Sequence, residues 1–390
     1  MTAVIRCFIA ATLAVSGSLL IGNSHAQSSV PMETWGSARA MGMGGAFTAV
    51  ARESEALFYN PAALARVSGF QWTILDPRIG ASGQQALDVI GAVSDDRPFV
   101  EKLDDLYGKS VWLGGGAKTA FVLPYFGFAA FTHGDVGVGL QNPAFPLMNL
   151  NYVFDYGFAL GGALDLVPGI WSVGITMKRV NRTGTTLPLG PAVLANLDME
   201  MVKEQIKNRG TGYGLDVATM LTLPSPVRPT LAFTIRNAGY TAFSHEEGLH
   251  APPRSEPDMT VGGSLSFDLP LLTITPAFDY KYADRTDIQV GKKIHFGVEV
   301  DLPLLSVRAG FNQGYYSLGA GFDLGVMSVE AATYGVELGE YPGQLEDRRY
   351  VVQASFQLGM SGLFSSRDPR GSSSGSSSNS SGRRKLKQRR

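Results

Sequence analysis

The chain has 390 residues, a formal net charge of −1 and a mean hydropathy of +0.04. Near-neutrality excludes the global basic field that nucleic-acid binding relies on. The only cysteine, Cys7, stands in the first segment, which excludes a disulfide scaffold, a Cys-ligated metal and cysteine catalysis downstream of it.

Residues 1–26 read as a secretory signal peptide. Arg6 supplies the basic start, Cys7 to Ile21 the apolar run, and Ser24-His25-Ala26 a small-residue cut before Gln27. No cysteine stands just after that cut, which argues against a lipoprotein anchor. No later stretch approaches the roughly 18 uninterrupted apolar residues of a transmembrane helix.

Residues 27–66 differ in composition from the rest of the chain. They contain Gly36-Ser37-Ala38-Arg39-Ala40-Met41-Gly42-Met43-Gly44-Gly45-Ala46-Phe47 and then Glu53 to Ala65, ending in Phe58-Tyr59-Asn60-Pro61-Ala62-Ala63-Leu64. The second stretch predicts two short helical turns, the later one capped by Asn60 with Pro61 in the first helical position. A compact, small-residue segment of this kind needs a surface to pack on, and a plug in a barrel lumen is the expectation.

From 67 to 360 the chain repeats an alternating strand, a very short turn, another alternating strand and a longer connection. The tight turns are Pro124-Tyr125, Val167-Pro168-Gly169, Pro224-Ser225-Pro226, Leu269-Pro270, Leu302-Pro303 and Leu324-Gly325. The connections are expected near 81–116, 134–150, 182–210, 239–256, 282–291 and 337–347. Fourteen strands are predicted, the second near 117–123, with 69–79 closing against 348–358. Short turns at one end and longer loops at the other mark an outer-membrane β-barrel. The fold class is therefore all-β: a transmembrane antiparallel barrel of about fourteen strands with an N-terminal plug.

Alternation alone does not say which face meets lipid. In 294–302, Ile294, Phe296, Val298 and Val300 share one face, and His295, Gly297, Glu299 and Asp301 the other. The signal peptide and a polar face rich in Gly, Ser and Thr place the apolar side outward. His295, Glu299, Asp279, Lys281 and Arg308 then form a predicted polar network in the lumen. Loop 134–150, with Phe145, Leu147, Met148 and Leu150, is the candidate capture site for an apolar ligand. Segment 191–207 has helical apolar spacing. No arrangement supports an enzyme: His245 and His250 fall in a polar loop, and His133 and His295 on strands without a nucleophile. Asp95, Asp96, Asp104 and Asp105 match no calcium loop, so neither metal nor cofactor is expected.

The run from Gly36 to Ala65, with Asn60-Pro61-Ala62, resembles the N-terminal hatch of the FadL/TodX superfamily, and most closely its PorV/PorQ-type branch. Arg308-Ala309-Gly310-Phe311-Asn312 and Ser317-Leu318-Gly319-Ala320-Gly321-Phe322 resemble that family's closing strands. The resemblance implies a fourteen-stranded outer-membrane barrel of Gram-negative cells with a hatch. It implies either uptake of small hydrophobic molecules, such as long-chain fatty acids or aromatic hydrocarbons, or a non-transporting adaptor for protein secretion or surface attachment. The partners implied are outer-membrane lipids, an apolar ligand, or a secreted or surface protein.

Residues 361–390 depart from that pattern. Gly371 to Gly382 is almost pure Ser/Gly, a linker composition, and Arg383 to Arg390 carries six basic residues. Strand parity puts this tail in the periplasm, where anionic lipid or peptidoglycan-associated partners are the contacts open to it.

Overall fold

The computed structural model describes residues 35–83, 110–141, 147–190, 204 and 206–360. Its strands are β1 Phe70–Ser82, β2 Ser110–Leu123, β3 Phe126–Gln141, β4 Leu147–Val167 and β5 Trp171–Leu189. Next come β6 Arg209–Thr222, β7 Thr230–Arg236, β8 Asp258–Ser264, β9 Phe267–Leu269 and β10 Leu272–Tyr280. The last five are β11 Ile294–Asp301, β12 Leu305–Asn312, β13 Tyr315–Asp323, β14 Met327–Glu337 and β15 Glu346–Met360.

Neighbours in the chain pair antiparallel, and β15 returns to β1 with Ile79 opposite Val352, so the sheet closes. Both β8 and β9 pair with β10 in one register, Ala277 opposite Ser264 and Ile274 opposite Phe267. Between them Pro276 has no N–H to give, so one barrel strand is interrupted. The barrel thus has fourteen strands, each overlapping its predicted span. Closure leaves no edge whose backbone groups would go unpaired in lipid. The tight turns take left-handed residues, Tyr125 at φ 67° and Leu271 at φ 72°.

The two faces separate by parity. On β11, His295, Gly297 and Glu299 are buried, whereas Phe296 and Val298 are exposed. Ile79, Phe158, Leu160, Phe311, Leu318, Phe356 and Leu358 continue the exposed apolar belt around the barrel. A soluble barrel would carry these side chains inside; here they face the surroundings and the charges face the lumen. No helix among the described residues is long and apolar enough to cross a membrane.

The strands from β2 to β5 outrun their predicted ends. β2 starts at Ser110, seven residues before the predicted 117, and β3 and β4 stay paired up to Gln141 opposite Leu147. Loop 134–150 is therefore mostly strand. Leu147, Met148 and Leu150 belong to β4, and only 142–146, with Phe145, lies outside the described residues. The connection is thus shorter than the predicted 134–150, with three of the four candidate capture residues on a strand. Turn residues and alternation set the predicted strand ends, but a hairpin gains backbone bonds for as long as its two arms stay extended. Segment 191–207 and the four loop aspartates also fall largely or wholly outside the described residues.

Residues 35–67 form four short helical pieces: α1 Ala38–Gly42, η1 Glu53–Glu55, α2 Ala56–Tyr59 and η2 Pro61–Arg66. Asn60 caps η2, its Oδ1 accepting from the Ala62 N–H at 3.1 Å, with Pro61 first in the helix. Most of this segment is buried, Asn60, Leu57 and Leu64 completely.

Candidate functional site in the barrel interior

The N-terminal segment meets the barrel wall in two ways. Residues 36–48 meet β10–β15 through charge and hydrogen bonds. Arg39 Nε and Nη2 donate to the two Glu299 oxygens at 2.7 and 2.6 Å, and Arg308 Nε donates to the same carboxylate at 2.6 Å. Arg308 reaches on to Glu330 at 3.1 Å. One buried carboxylate between two guanidinium groups is the arrangement that makes ionised side chains tolerable inside a protein.

Further along, Asp279 Oδ2 accepts from the Phe47 and Thr48 N–H groups, each at 2.9 Å, and from the Thr48 hydroxyl at 2.7 Å. His295 Nδ1 lies 2.9 Å from the Gly44 carbonyl, so that nitrogen must carry the proton in this contact. Lys281 is buried beside His295 and Gly45. Gly44 sits at φ 65° with the β11 and β12 backbones against it, leaving no room for a Cβ. On β15, Gln353 accepts from the Ala38 N–H at 2.8 Å and donates to Asp76 at 2.7 Å.

Residues 56–66 meet β3–β6 chiefly by shape, with the Tyr125 N–H donating to the Leu64 carbonyl at 3.0 Å and Arg66 donating to the Thr222 hydroxyl. Leu57 and Leu64 lie over Gly127 and Gly161, beside buried Ala129, Ala159 and Ala218. Gly174 receives the Pro61–Ala62 backbone so closely that any Cβ there would overlap it. An aromatic group joins the two parts: Trp35 stacks on Phe58 at 5.5 Å, and Phe58 meets Phe131 edge-on at 5.4 Å. Lys118 Nζ stands 4.7 Å over the Trp35 ring and 3.0 Å from Asp76. Asn60 Nδ2 also donates to the Thr48 carbonyl at 2.8 Å, tying the shape-matched part to the hydrogen-bonded part.

Toward the opposite end the wall is extended beyond β7 by edge pairing. In the connection between β7 and β8, Phe243 bridges to Gly212 and Glu247 to Arg209 on β6. The Phe243 ring lies 4.4 Å under the Arg182 guanidinium, which is held by Asp155 at 2.8 and 2.7 Å. Below the N-terminal segment, at the turn end, is a cavity of about 500 Å³ with Arg39, Arg308, Glu330 and Gln353 in its wall. Near the loop mouth, burial pushes the Lys292 and Lys293 ammonium groups below the ordinary lysine range, against the pull of Glu337 on the first and Asp284 on the second.

His295, Glu299, Asp279, Lys281 and Arg308 are all buried on the inward face, and His295, Glu299 and Asp279 have partners in the N-terminal segment. Sequence reasoning missed Arg39, Asp76, Lys118, Asp155 and Arg182. The signal was present: each strand member among them sits at an inward parity position, and Asp76–Lys118, Asp155–Arg182 and Glu299–Arg308 are directly opposite across ladders. Arg39 offered no such signal, because its partner is 260 residues away.

The fold and interior define a closed antiparallel β-barrel with an apolar outer belt and residues 36–66 packed against its inward faces. No family model matches the chain, and no curated protein matches it. Among solved structures it is similar to the toluene transporter TbuX of Ralstonia pickettii, at 12% identity and a TM-score of 0.48, over 84% of this chain and 99% of that one. It is also similar to the CymD monoaromatic hydrocarbon channel, at 12% identity and a TM-score of 0.46, over 82% and 96%. A FadL homologue of Pseudomonas aeruginosa shows 12% identity and a TM-score of 0.43, over 82% and 96%. The barrel itself is established by its own strand pairing.

Proposed function

We propose that this chain is a FadL-like outer-membrane channel that takes up small hydrophobic molecules, with Asn60-Pro61-Ala62 as the corner of its hatch. The substrate class comes from the resemblance of residues 36–65 to that family's hatch. The observation that carries the reading is the packing of residues 36–66 against the inward faces of β3–β6 and β10–β15. A lumen filled in this way suits a solute that partitions into hydrocarbon better than one that needs an aqueous bore. The chain is expected in the outer membrane of a Gram-negative cell, with its tail in the periplasm.

The test is uptake of labelled long-chain fatty acid and of toluene by cells that lack a channel of their own. Expression of this chain should raise the uptake of at least one over vector. Uptake of both at the vector level, with the protein verified in the outer membrane, overturns the reading.

The charged wall of the turn-end cavity and the buried ion pairs favour a second reading, an adaptor barrel for secretion or surface attachment. Native mass spectrometry in mild detergent separates the two readings. A retained apolar ligand supports the channel, and a bound protein at fixed stoichiometry supports the adaptor.

A further inference from the structure

The outward row of β5 runs Trp171, Val173, Ile175, Met177 and then Arg179, which is exposed. Its neighbours across the ladders are Phe158 on β4 and Tyr213 on β6, both exposed on the same face. A guanidinium thus stands in the apolar belt with two aromatic residues beside it. Among the described residues no carboxylate pairs with it. An arginine on the lipid face of a barrel costs energy that falls with distance from the midplane. From Trp171 to Arg179 the strand climbs about 20 Å at a tilt of roughly 40°, toward the loop-side edge of a belt about 25 Å tall. The charge therefore sits where hydrocarbon gives way to headgroups, and its aliphatic stem lets it reach up to them.

The positions above Arg179 on this face are polar. Asn181 and Thr183 follow on β5, opposite Thr211 and Arg209 of β6. Thr211 Oγ1 donates to Asn181 Oδ1 at 2.9 Å, and Arg209 Nη2 donates to the Tyr156 hydroxyl at 2.9 Å. Arg209 is exposed, so the two arginines bracket the Asn181–Thr211 pair from above and below. Glu246, which accepts from the Ser244 hydroxyl at 2.9 Å, attracts Arg209 from the loop side and offsets part of its charge. Arg348 of β15 makes the contrast. It stacks on Tyr316 at 3.9 Å and pairs with Glu346, so its charge is met within the protein.

We propose that Arg179 and Arg209 hold the phosphate of an outer-leaflet lipid headgroup against the wall of β4–β6, with the acyl chains lying on Phe158, Met177 and Tyr213. Phosphate oxygens accept charge-assisted hydrogen bonds from guanidinium groups, and the lipid supplies the negative charge that Arg179 lacks. The apolar residues below the arginines then meet hydrocarbon, so one lipid satisfies both parts of the face. The site needs the belt to lie in a membrane. It is independent of the transport reading, since no lumen residue and no substrate enter it.

Lipid selectivity tests it. The full chain and its Arg179→Gln, Arg209→Gln and Arg348→Gln variants are folded into nanodiscs of phosphatidylcholine containing a minority of phosphatidic acid. Native mass spectrometry then counts the lipids each barrel keeps. Wild type should keep phosphatidic acid in preference to phosphatidylcholine. Arg179→Gln and Arg209→Gln should each lower that preference by about fivefold, and Arg348→Gln should leave it unchanged. Equal preference in wild type and both site variants overturns the proposal, and so does an equal loss in Arg348→Gln, which would report surface charge in general. Excess inorganic phosphate should leave the lipid bound; its displacement overturns the assignment to a lipid. Protein that fails to fold into the bilayer overturns the membrane reading and the site with it, whereas folded protein without the preference overturns the site alone.

Discussion

The two halves of the barrel hold the same N-terminal segment with a different balance of hydrogen bonding and close packing. Toward β10–β15 the segment is fastened by directional bonds, with Glu299 receiving two arginines and Asp279 receiving two backbone N–H groups and a hydroxyl. Toward β3–β6 it is fitted by volume, with Leu57, Pro61 and Leu64 against inward glycines and alanines. Hydrogen bonds specify position by angle and distance, whereas close packing does so by leaving no second place to sit. The first kind breaks when one partner is removed. The second breaks when an atom is added.

The largest effect is expected on the bonded side. Glu299→Ala leaves Arg39 and Arg308 buried with their shared carboxylate gone, a loss of about 3–5 kcal/mol. Guanidinium unfolding from lipid vesicles should show it, and hydrogen exchange should rise across 36–48 more than across 56–66. Uniform exchange along both stretches would erase the distinction between the halves.

On the outer side of the same strand, Phe296→Arg should cost about 2–4 kcal/mol of insertion energy at the midplane. Its readout is the yield of heat-modifiable folded protein in vesicles. An unchanged yield would mean that β11 has been assigned the wrong outward face.

Gly174→Val tests the fitted side. Overpacking against Pro61 should cost about 1–3 kcal/mol and release 56–66 to protease while Arg39–Glu299 persists. If 36–48 became equally sensitive, the two docking modes would be one cooperative unit.

The smallest effect belongs to Asn60→Ala, which removes a cap and the link to the Thr48 carbonyl, at about 1 kcal/mol. The barrel should still fold. Small-antibiotic leakage should rise if the chain is a channel, and stay level with altered partner binding if it is an adaptor. Failure of barrel assembly would show that residues 36–66 are needed to build the wall.

Much of the wall was legible in the amino-acid order. Period-two alternation, the turn residues and their spacing located fourteen strands and their closure, because these are local properties of adjacent residues. The Asn60 cap was legible for the same reason, since its partner is two residues away. The inward polar set His295, Glu299, Asp279, Lys281 and Arg308 came from parity once the apolar face was placed outward. What each of them touches did not.

Tertiary structure alone decided how far β2–β5 run, because a hairpin stops where its two arms stop pairing and not where the bilayer ends. For that reason Leu147, Met148 and Leu150 are strand residues. It alone decided that Arg39 meets Glu299 and that Gly174 makes room for Pro61. Those contacts join residues more than a hundred positions apart, and nothing in either neighbourhood encodes the other until closure of the sheet brings both into one lumen.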